Sequence, residues 1–482
     1  YYCVDEAQDT SKIQHTIIRL LAGQSGNLFM VGDEDQSIYG FRAAYPQALT
    51  EFDRVYPYAK VLYMEQNYRS TEQIVAAADR FIQKNKNRHP KHMRATRGSG
   101  PELREISVYD RQKQYRYLCK MAENCETETA VLYRDNDSAL PLMDLLERSG
   151  IPYRCRQVES VFFTNRVVRD ITDIIRLAQA QGNAEYFLNI YYKLGAGISR
   201  ALAQEAVARA GAGEPLLEYI ASSAAASPWT RKQCRALQTH MNNLLEEPAD
   251  RAVYRIVHFM GYGAYLEERG GDLNKTEILE ALGAEEPTPG RLLERLEELR
   301  EVVQAGAGTP DCPFVLSTIH SSKGLEYDRV ILMDVADGML PKTVPQREAT
   351  PQELDLYEEE RRLFYVGMTR AKRELDIVTF RKPGLESAFS QEIFPPKQKE
   401  PKAATEKKPL TVKRLLSKEQ IFRLSGEYQP GTRLCHKTFG SGTLVSRSGD
   451  IVIIAFDNGE VKKLALSTAL RARQLQPEEQ EI

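Results

Sequence analysis

Short apolar runs alternate with amphipathic stretches over the first hundred residues. Tyr2-Cys3-Val4 runs into Asp5-Glu6, and Leu28-Phe29-Met30-Val31 runs into Gly32-Asp33-Glu34-Asp35-Gln36. Runs of this length read as buried parallel strands. Between them Ser11–Ala22 reads as a helix, with Thr10 able to cap it and Gly23 able to stop it. Lys60–Met64 reads as a further strand. Ser70-Thr71-Glu72 opens a helix to about Asn85, with Ile74, Val75, Ala78, Phe81 and Ile82 on one face. Gly98-Ser99-Gly100-Pro101 reads as a domain joint.

Alternation resumes over residues 102–180: a strand at Ala130–Tyr133, a helix at Ala139–Ser149, a strand at Pro152–Arg156 and a helix at Val167–Ala178. Residues 184–308 carry almost only helical signals, which predicts a helical insertion. Strand signals return at Phe314–Ser317 and Val330–Met333, so a second α/β domain is expected to be split by the helical one. Residues 395–410 are rich in Pro, Lys and Glu and read as a flexible linker. Beyond it, Arg433–His436, Gly442–Ser446, Ile451–Phe456 and Val461–Leu466 read as short strands. Asn458-Gly459 supplies a hairpin turn between the last two. Four such strands in so short a segment suit a small barrel of the SH3 or Tudor type. The resulting division is 1–100, 101–183, 184–310, 311–394, a linker at 395–428 and a barrel at 429–476.

Composition narrows the chemistry. A hydrophobic share of 42% and a charged share of 27% over 482 residues describe an ordinary globular chain. The net charge of -2 exerts no global pull toward nucleic acid, so any such surface is a local patch. The seven cysteines contain no C-x-x-C pair, which points away from a zinc site or a disulfide framework and toward reduced thiols. No apolar run approaches the ~20 residues of a membrane span. From Lys397 to Arg423 nine Lys/Arg face three Glu. That cluster reads either as a solvated tail or as a salt-dependent phosphate contact.

Acids at the carboxyl end of a parallel strand can hold Mg²⁺ and orient a water at a triphosphate. Alone, Asp5-Glu6 is equally a solvated pair opening a helix. The wider pattern decides. VDEAQD at 4–9, VGDEDQSIYGFR at 31–42, NYRS at 67–70, Phe162-Phe163 followed by a basic helix, STIHSSKGLEYDRVIL at 317–332 and EEERRLFYVGMTRAKREL at 358–375 occur in one order. Together they resemble superfamily 1 DNA helicases of the UvrD/PcrA/Rep type. CHKTFGSGTLVS at 435–446 is similar to the Tudor-like domain that ends such proteins.

The resemblance implies RecA-like P-loop NTPase domains, the first incomplete, with ATP and Mg²⁺ as cofactors and single-stranded and duplex DNA as substrates. By it Asp5 binds Mg²⁺, through water, and Glu6 activates the attacking water. Gln36 senses the γ-phosphate, and Tyr68 stacks on adenine. Arg69 and Arg370 reach the γ-phosphate from two sides of an inter-domain cleft, and Glu326 contacts the ribose region. Tyr39, Phe41, Arg42, Thr318, His320 and Lys323 contact single-stranded DNA. Phe41 stands where the family usually has Trp, and Ala43 where Gly is common. A 3′-to-5′ translocase in DNA repair, cytoplasmic and nucleoid-associated, with RNA polymerase as partner of the barrel, is implied in the same way. The G-x-x-x-x-G-K-[ST] loop is not found, and the chain has no Gly-Lys dipeptide. The chain also lacks an initiator Met. It is therefore expected to be a fragment that cannot hydrolyse ATP alone. A non-enzymatic DNA- or RNA polymerase-binding module, acting through the basic linker and barrel, is the alternative. A helicase–nuclease is disfavoured, because residues 431–475 are too few for a nuclease domain.

Overall fold

In the computed structural model the described residues are 1–23, 27–155, 161–211, 213–271, 273–306, 308–345, 347–395, 426, 428–471 and 475–477. They form two compact units, Tyr1–Pro396 and Lys397–Ile482.

The first unit opens with β1 (Tyr2–Val4) and β2 (Leu28–Met30), paired in parallel with Val4 opposite Met30. A second small parallel pair, β3 (Gln66–Asn67) and β4 (Arg94–Ala95), follows. The main element is a six-stranded parallel sheet. Its strands are β5 (Arg104–Val108), β6 (Thr129–Tyr133), β7 (Arg154–Cys155), β8 (Phe314–Thr318), β9 (Tyr327–Leu332) and β10 (Ala371–Phe380), in the order β5-β10-β9-β6-β8-β7. Residues from both sides of the helical stretch thus enter one sheet. All five residues of β6 and all five of β8 are buried, as central strands of a parallel sheet must be.

Successive side chains of these strands feed two different cores, as the two-residue period requires. Val131, Tyr133, Phe314, Leu316, Ile331 and Met333 face the helices Arg111–Glu123, Leu140–Ser149 and Arg166–Gln179, and that core runs on into the helical stretch through Phe187 and Ile190. Ala130, Leu132, Val315, Val330 and Leu332 face the opposite side, against Ile74, Phe81, Phe364 and Phe389. Between residues 184 and 306 every described element is helical, from Ala184–Ile190 to Pro289–Gln304.

Four expectations change. The first helix begins at Lys12 and is capped by Ser11, not Thr10; Ser11 Oγ and the Gln14 side chain form a reciprocal capping box, while Thr10 Oγ1 donates to the Ala7 carbonyl. Residues Lys60–Met64 form no strand, because no described strand lies beside them to complete a ladder; Leu62 and Met64 stay exposed. The expected 152–156 strand is ordered as a ladder only over Arg154–Cys155, and Arg156 lies outside the described residues. The division at residue 100 fails on packing grounds. The Glu72–Ile82 helix buries Ile74, Ala78, Phe81 and Ile82 against the six-stranded sheet and the Pro351–Met368 helix, so it belongs with that sheet. Gly98–Pro101 is a surface loop within one compact unit.

The second unit holds a five-stranded antiparallel sheet of β11 (Arg433–His436), β12 (Gly440–Ser448), β13 (Ile451–Phe456), β14 (Val461–Ala465) and β15 (Leu475–Pro477), in the order β14-β13-β12-β11-β15. The hairpin at Asn458-Gly459 forms as expected. Asn458 Oδ1 accepts the Glu460 amide, and Gly459 takes φ +87°, which its missing Cβ permits. The helix Leu466–Arg471 and the strand β15 had no sequence signal. Of the linker expected at 395–428, residues 396–425 and 427 lie outside the described residues.

Phe81 lies between Phe364 (ring centroids 5.2 Å) and Phe389 (5.0 Å), with the Arg361 guanidinium over its face. Phe81→Ala should destabilise the Tyr1–Pro396 unit by about 3–5 kcal/mol, read as a lowered urea midpoint of the full chain.

Candidate nucleotide site and nucleic-acid interface

Pairing of β1 with β2 places Asp5-Glu6 beside Gly32–Asp35. Asp5 Oδ1 accepts the Glu6 amide at 2.9 Å, and Glu6 holds a left-handed backbone, φ 50°, an uncommon state for a residue with a Cβ. Buried Gln8 then bridges the two loops. Its Nε2 donates to Glu6 Oε2 at 2.6 Å, and its Oε1 accepts the Asp33 amide at 3.0 Å. A Cβ at Gly32 would meet that Gln8 oxygen at 2.6 Å, so glycine there lets the loops close.

Asp33 in turn carries Gln36, whose Nε2 donates to Asp33 Oδ2 at 2.7 Å. Lys91 Nζ lies 2.6 Å from Asp33, 3.0 Å from Glu34 and 3.4 Å from Asp35. Arg88 forms a forked pair with Asp35. Burial pushes the Asp33 carboxyl upward, but the Lys91 charge and the hydrogen bonds from Lys91, Gln36 and the Asp35 amide hold it below the ordinary range. The sequence reading assigned nothing to Gln8, Arg88 or Lys91. The available signal was charge complementarity between Asp33-Glu34-Asp35 and the basic run Arg88–His92.

Both candidate arginines lie beside the start of β10. The NYRS turn sits on the chain that leaves the Pro351–Met368 helix: Ser70 Oγ donates to the Ala371 carbonyl and the Thr71 amide to the Lys372 carbonyl. Arg69 Nε pairs with Glu326 at 2.9 Å, and its Nη1 donates to the Thr369 carbonyl. The expectation of one arginine on each side of a cleft is therefore corrected, because the helix that follows Arg69 is packed into the core beside Arg370. Glu326 is committed to Arg69; that hydrogen bond draws its carboxyl below the usual range.

Arg370 is 1% exposed, and its guanidinium donates only to the Val366 and Leu325 carbonyls and to Thr369 Oγ1. Burial, followed by repulsion from Arg69, lowers its pKa to about 10, while Glu6 acts in the opposite direction. The acids are on one side and a buried cation without a carboxylate partner on the other. Tyr68, two positions before the buried Ser70, is 67% exposed with its ring free at the surface.

Tyr39, Phe41, Arg42 and His320 come together as a platform. The Phe41 ring lies 5.9 Å from Tyr39 and 5.7 Å from His320, and the Arg42 guanidinium sits over both Tyr39 (5.2 Å) and Phe41 (5.4 Å). Phe41 is 69% exposed. Ala43 closes the turn at φ 59°, so the position that favours glycine is held here by a strained alanine at about 1–2 kcal/mol. Burial, then the nearby Arg134 charge, lowers the His320 pKa and keeps the ring neutral at pH 7.

Two of the residues expected at single-stranded DNA are bonded within the chain in this arrangement. Lys323 is turned inward, with Nζ 2.5 Å from Asp9 Oδ2, 3.5 Å from Glu6 and donating to the Gln36 carbonyl at 2.9 Å; its side chain is 9% exposed. The acids attract it more strongly than a solvent-facing position would. The Thr318 hydroxyl is spent within its loop, on Ser321.

Comparison with known proteins fits this geometry. The family model for the UvrD-like helicase C-terminal domain matches residues 62–306 and 312–382, and that for the UvrD/REP helicase N-terminal domain matches 1–57. The chain belongs to the UvrD-like helicases. The two family models meet just before the NYRS turn, which agrees with the packing of that turn on the six-stranded sheet. DNA helicase II of Escherichia coli is 30% identical over 491 residues, covering 92% of this chain and 66% of the relative. YjcD of Bacillus subtilis is 30% identical over 390 residues, 78% of this chain and 51% of the relative. The ATP-dependent DNA helicase PcrA of Staphylococcus epidermidis is 28% identical over 504 residues, 92% and 65%. The chain thus spans about half to two thirds of the length of these UvrD-like relatives.

Arg370 tests whether this arrangement is kept for stability. A buried guanidinium lacking a carboxylate contributes little to folding. Arg370→Met should change stability by less than about 1 kcal/mol, measured by thermal unfolding. A large loss would make Arg370 a structural residue.

Proposed function

We propose that the whole protein is an ATP-dependent DNA helicase. It translocates 3′ to 5′ on single-stranded DNA and unwinds duplex DNA, in a repair role. The observation that carries this reading is Arg370, a buried cation with no carboxylate partner among the described residues, held beside Arg69 and within electrostatic reach of Glu6. A triphosphate supplies the missing negative charge. Phosphoryl transfer depends mainly on positioning and charge neutralisation, which two arginines facing two carboxylates can supply.

The residues present fit Mg²⁺ and ATP in part. No cluster of three or more His, Cys, Asp or Glu among the described residues is placed to hold a metal. Asp5 is an exposed carboxylate with one oxygen committed to the Glu6 amide, and Mg²⁺ commonly takes one or two carboxylates plus water and phosphate oxygens. Glu6 would orient water, Gln36 would sense the terminal phosphate through its link to Asp33, and Tyr68 would stack on the base. Glu326 would reach the ribose once Arg69 turns to phosphate. A phosphate-cradling loop is not among the 482 residues, so hydrolysis needs one supplied from outside them.

The DNA reading rests on the Tyr39–Phe41–Arg42–His320 platform, since stacked rings beside a cation suit single strands of any sequence. Duplex DNA is a further substrate, and RNA polymerase a further partner through the second unit. We place the protein in the cytoplasm, at the nucleoid. No helix of the described residues is long and apolar enough to cross a membrane.

DNA-stimulated ATPase should be undetectable for the 482-residue chain and should appear when the chain is extended upstream of Tyr1. In the extended protein Glu6→Gln should abolish it while leaving nucleotide binding. Turnover unaffected by Glu6→Gln would sink the assignment. Separately, Phe41→Ala should weaken single-strand affinity by about 1–3 kcal/mol at fixed salt; an unchanged affinity would remove Phe41 from the DNA site.

A further inference from the structure

The Pro351–Met368 helix grips the aromatic platform from beneath. Glu359 Oε1 accepts the Gly40 amide at 2.8 Å, and a Cβ on Gly40 would run into that carboxylate, so the backbone is seated directly on it. Three residues on, Arg362 Nε donates to the Ser37 carbonyl at 2.8 Å. Residues three apart lie on one helix face, so a single face holds both ends of the Ser37–Gly40 segment. Burial pulls the Arg362 pKa down, against the attraction of the nearby Glu359, Glu358, Asp35 and Asp355 carboxylates. Tyr39 lies inside the gripped segment, and Phe41 and Arg42 follow it directly. Two residues past the helix end stands Arg370.

We propose that Glu359 and Arg362 are positioning residues that set the Tyr39–Phe41–Arg42–His320 platform for single-stranded DNA and join it, through one rigid helix, to Arg370. Neither residue needs to touch DNA. A shift of the helix when Arg370 meets an anion would then move the platform with it. The proposal rests on the DNA reading above.

The test is binding of a labelled oligo-dT of roughly twenty nucleotides to the 482-residue chain, by fluorescence anisotropy at one low salt concentration. Glu359→Ala should weaken binding about five- to twentyfold, within the range of one stacked base. Glu359→Gln keeps a carbonyl acceptor for the Gly40 amide and should bind within about twofold of the unaltered chain. The double variant Glu359→Ala/Phe41→Ala should bind no more weakly than Phe41→Ala, because both act through one platform. Additive losses would overturn the proposal, as would a Glu359→Gln as weak as Glu359→Ala. If Phe41→Ala weakens binding and Glu359→Ala does not, the positioning role fails and the DNA reading stands. If Phe41→Ala binds like the unaltered chain, or the unaltered chain does not bind, the DNA reading fails and the proposal falls with it. Thermal unfolding of Glu359→Ala separates lost binding from lost fold: binding lost in proportion to an unfolded fraction would also count against the proposal.

Discussion

A parallel sheet has to bury both of its faces, and most of this molecule follows from that. The six-stranded sheet is covered on one face by Arg111–Glu123, Leu140–Ser149 and Arg166–Gln179, and on the other by Glu72–Ile82 and Pro351–Met368. The second face sets the chemistry. Packing Phe81 against Phe364 brings the NYRS turn against Thr369–Lys372, and so brings Arg69 to Arg370. The side-chain period of two along the strands makes this possible, since Val131 and Leu132 can serve opposite cores. The same arrangement ties the helical stretch to the sheet through a shared core.

Charge is distributed on this frame unevenly. The acids of residues 33–35 are neutralised within the chain by Arg88 and Lys91, and that neutralisation orients Gln36. Among the described residues Asp5 has no cation within ion-pair distance and Arg370 no carboxylate. Lys323 spans the gap, bonded to Asp9 and close to Glu6. The matched groups hold the loops in place. Burial of a guanidinium that has no carboxylate partner among the described residues is unfavourable for folding.

The helix Pro351–Met368 connects these parts. Phe364 fills the core, Glu359 and Arg362 hold the loop below the platform, and Arg370 follows its end. A helix packed on both the core and the loop can carry a displacement from its carboxyl end to that loop as one body. Ala43 adds local strain to that surface.

Ordered blocks such as Val4–Asp9, Val31–Arg42 and Glu358–Leu375 were enough to recognise the family, and apolar periodicity located the main strands, the Glu72–Ile82 helix and the helical stretch. Those features depend on local spacing, which a single chain displays directly. Packing partners are not local. Thr10 and Ser11 are equivalent caps until the Gln14 side chain chooses one. Lys60–Met64 has the pattern of a strand and no neighbour to pair with. That Lys323 pairs with the Asp9 carboxylate was not visible in the sequence. Which sheet owned Arg69 was decided by where Phe81 could be buried, and the roles of Gln8, Lys91, Glu359 and Arg362 by hydrogen bonds spanning tens to hundreds of residues. The sequence by itself determined the family, the elements and the candidate chemistry. Tertiary structure alone decided which charges are paired and which remain available, because pairing depends on distances that only folding sets.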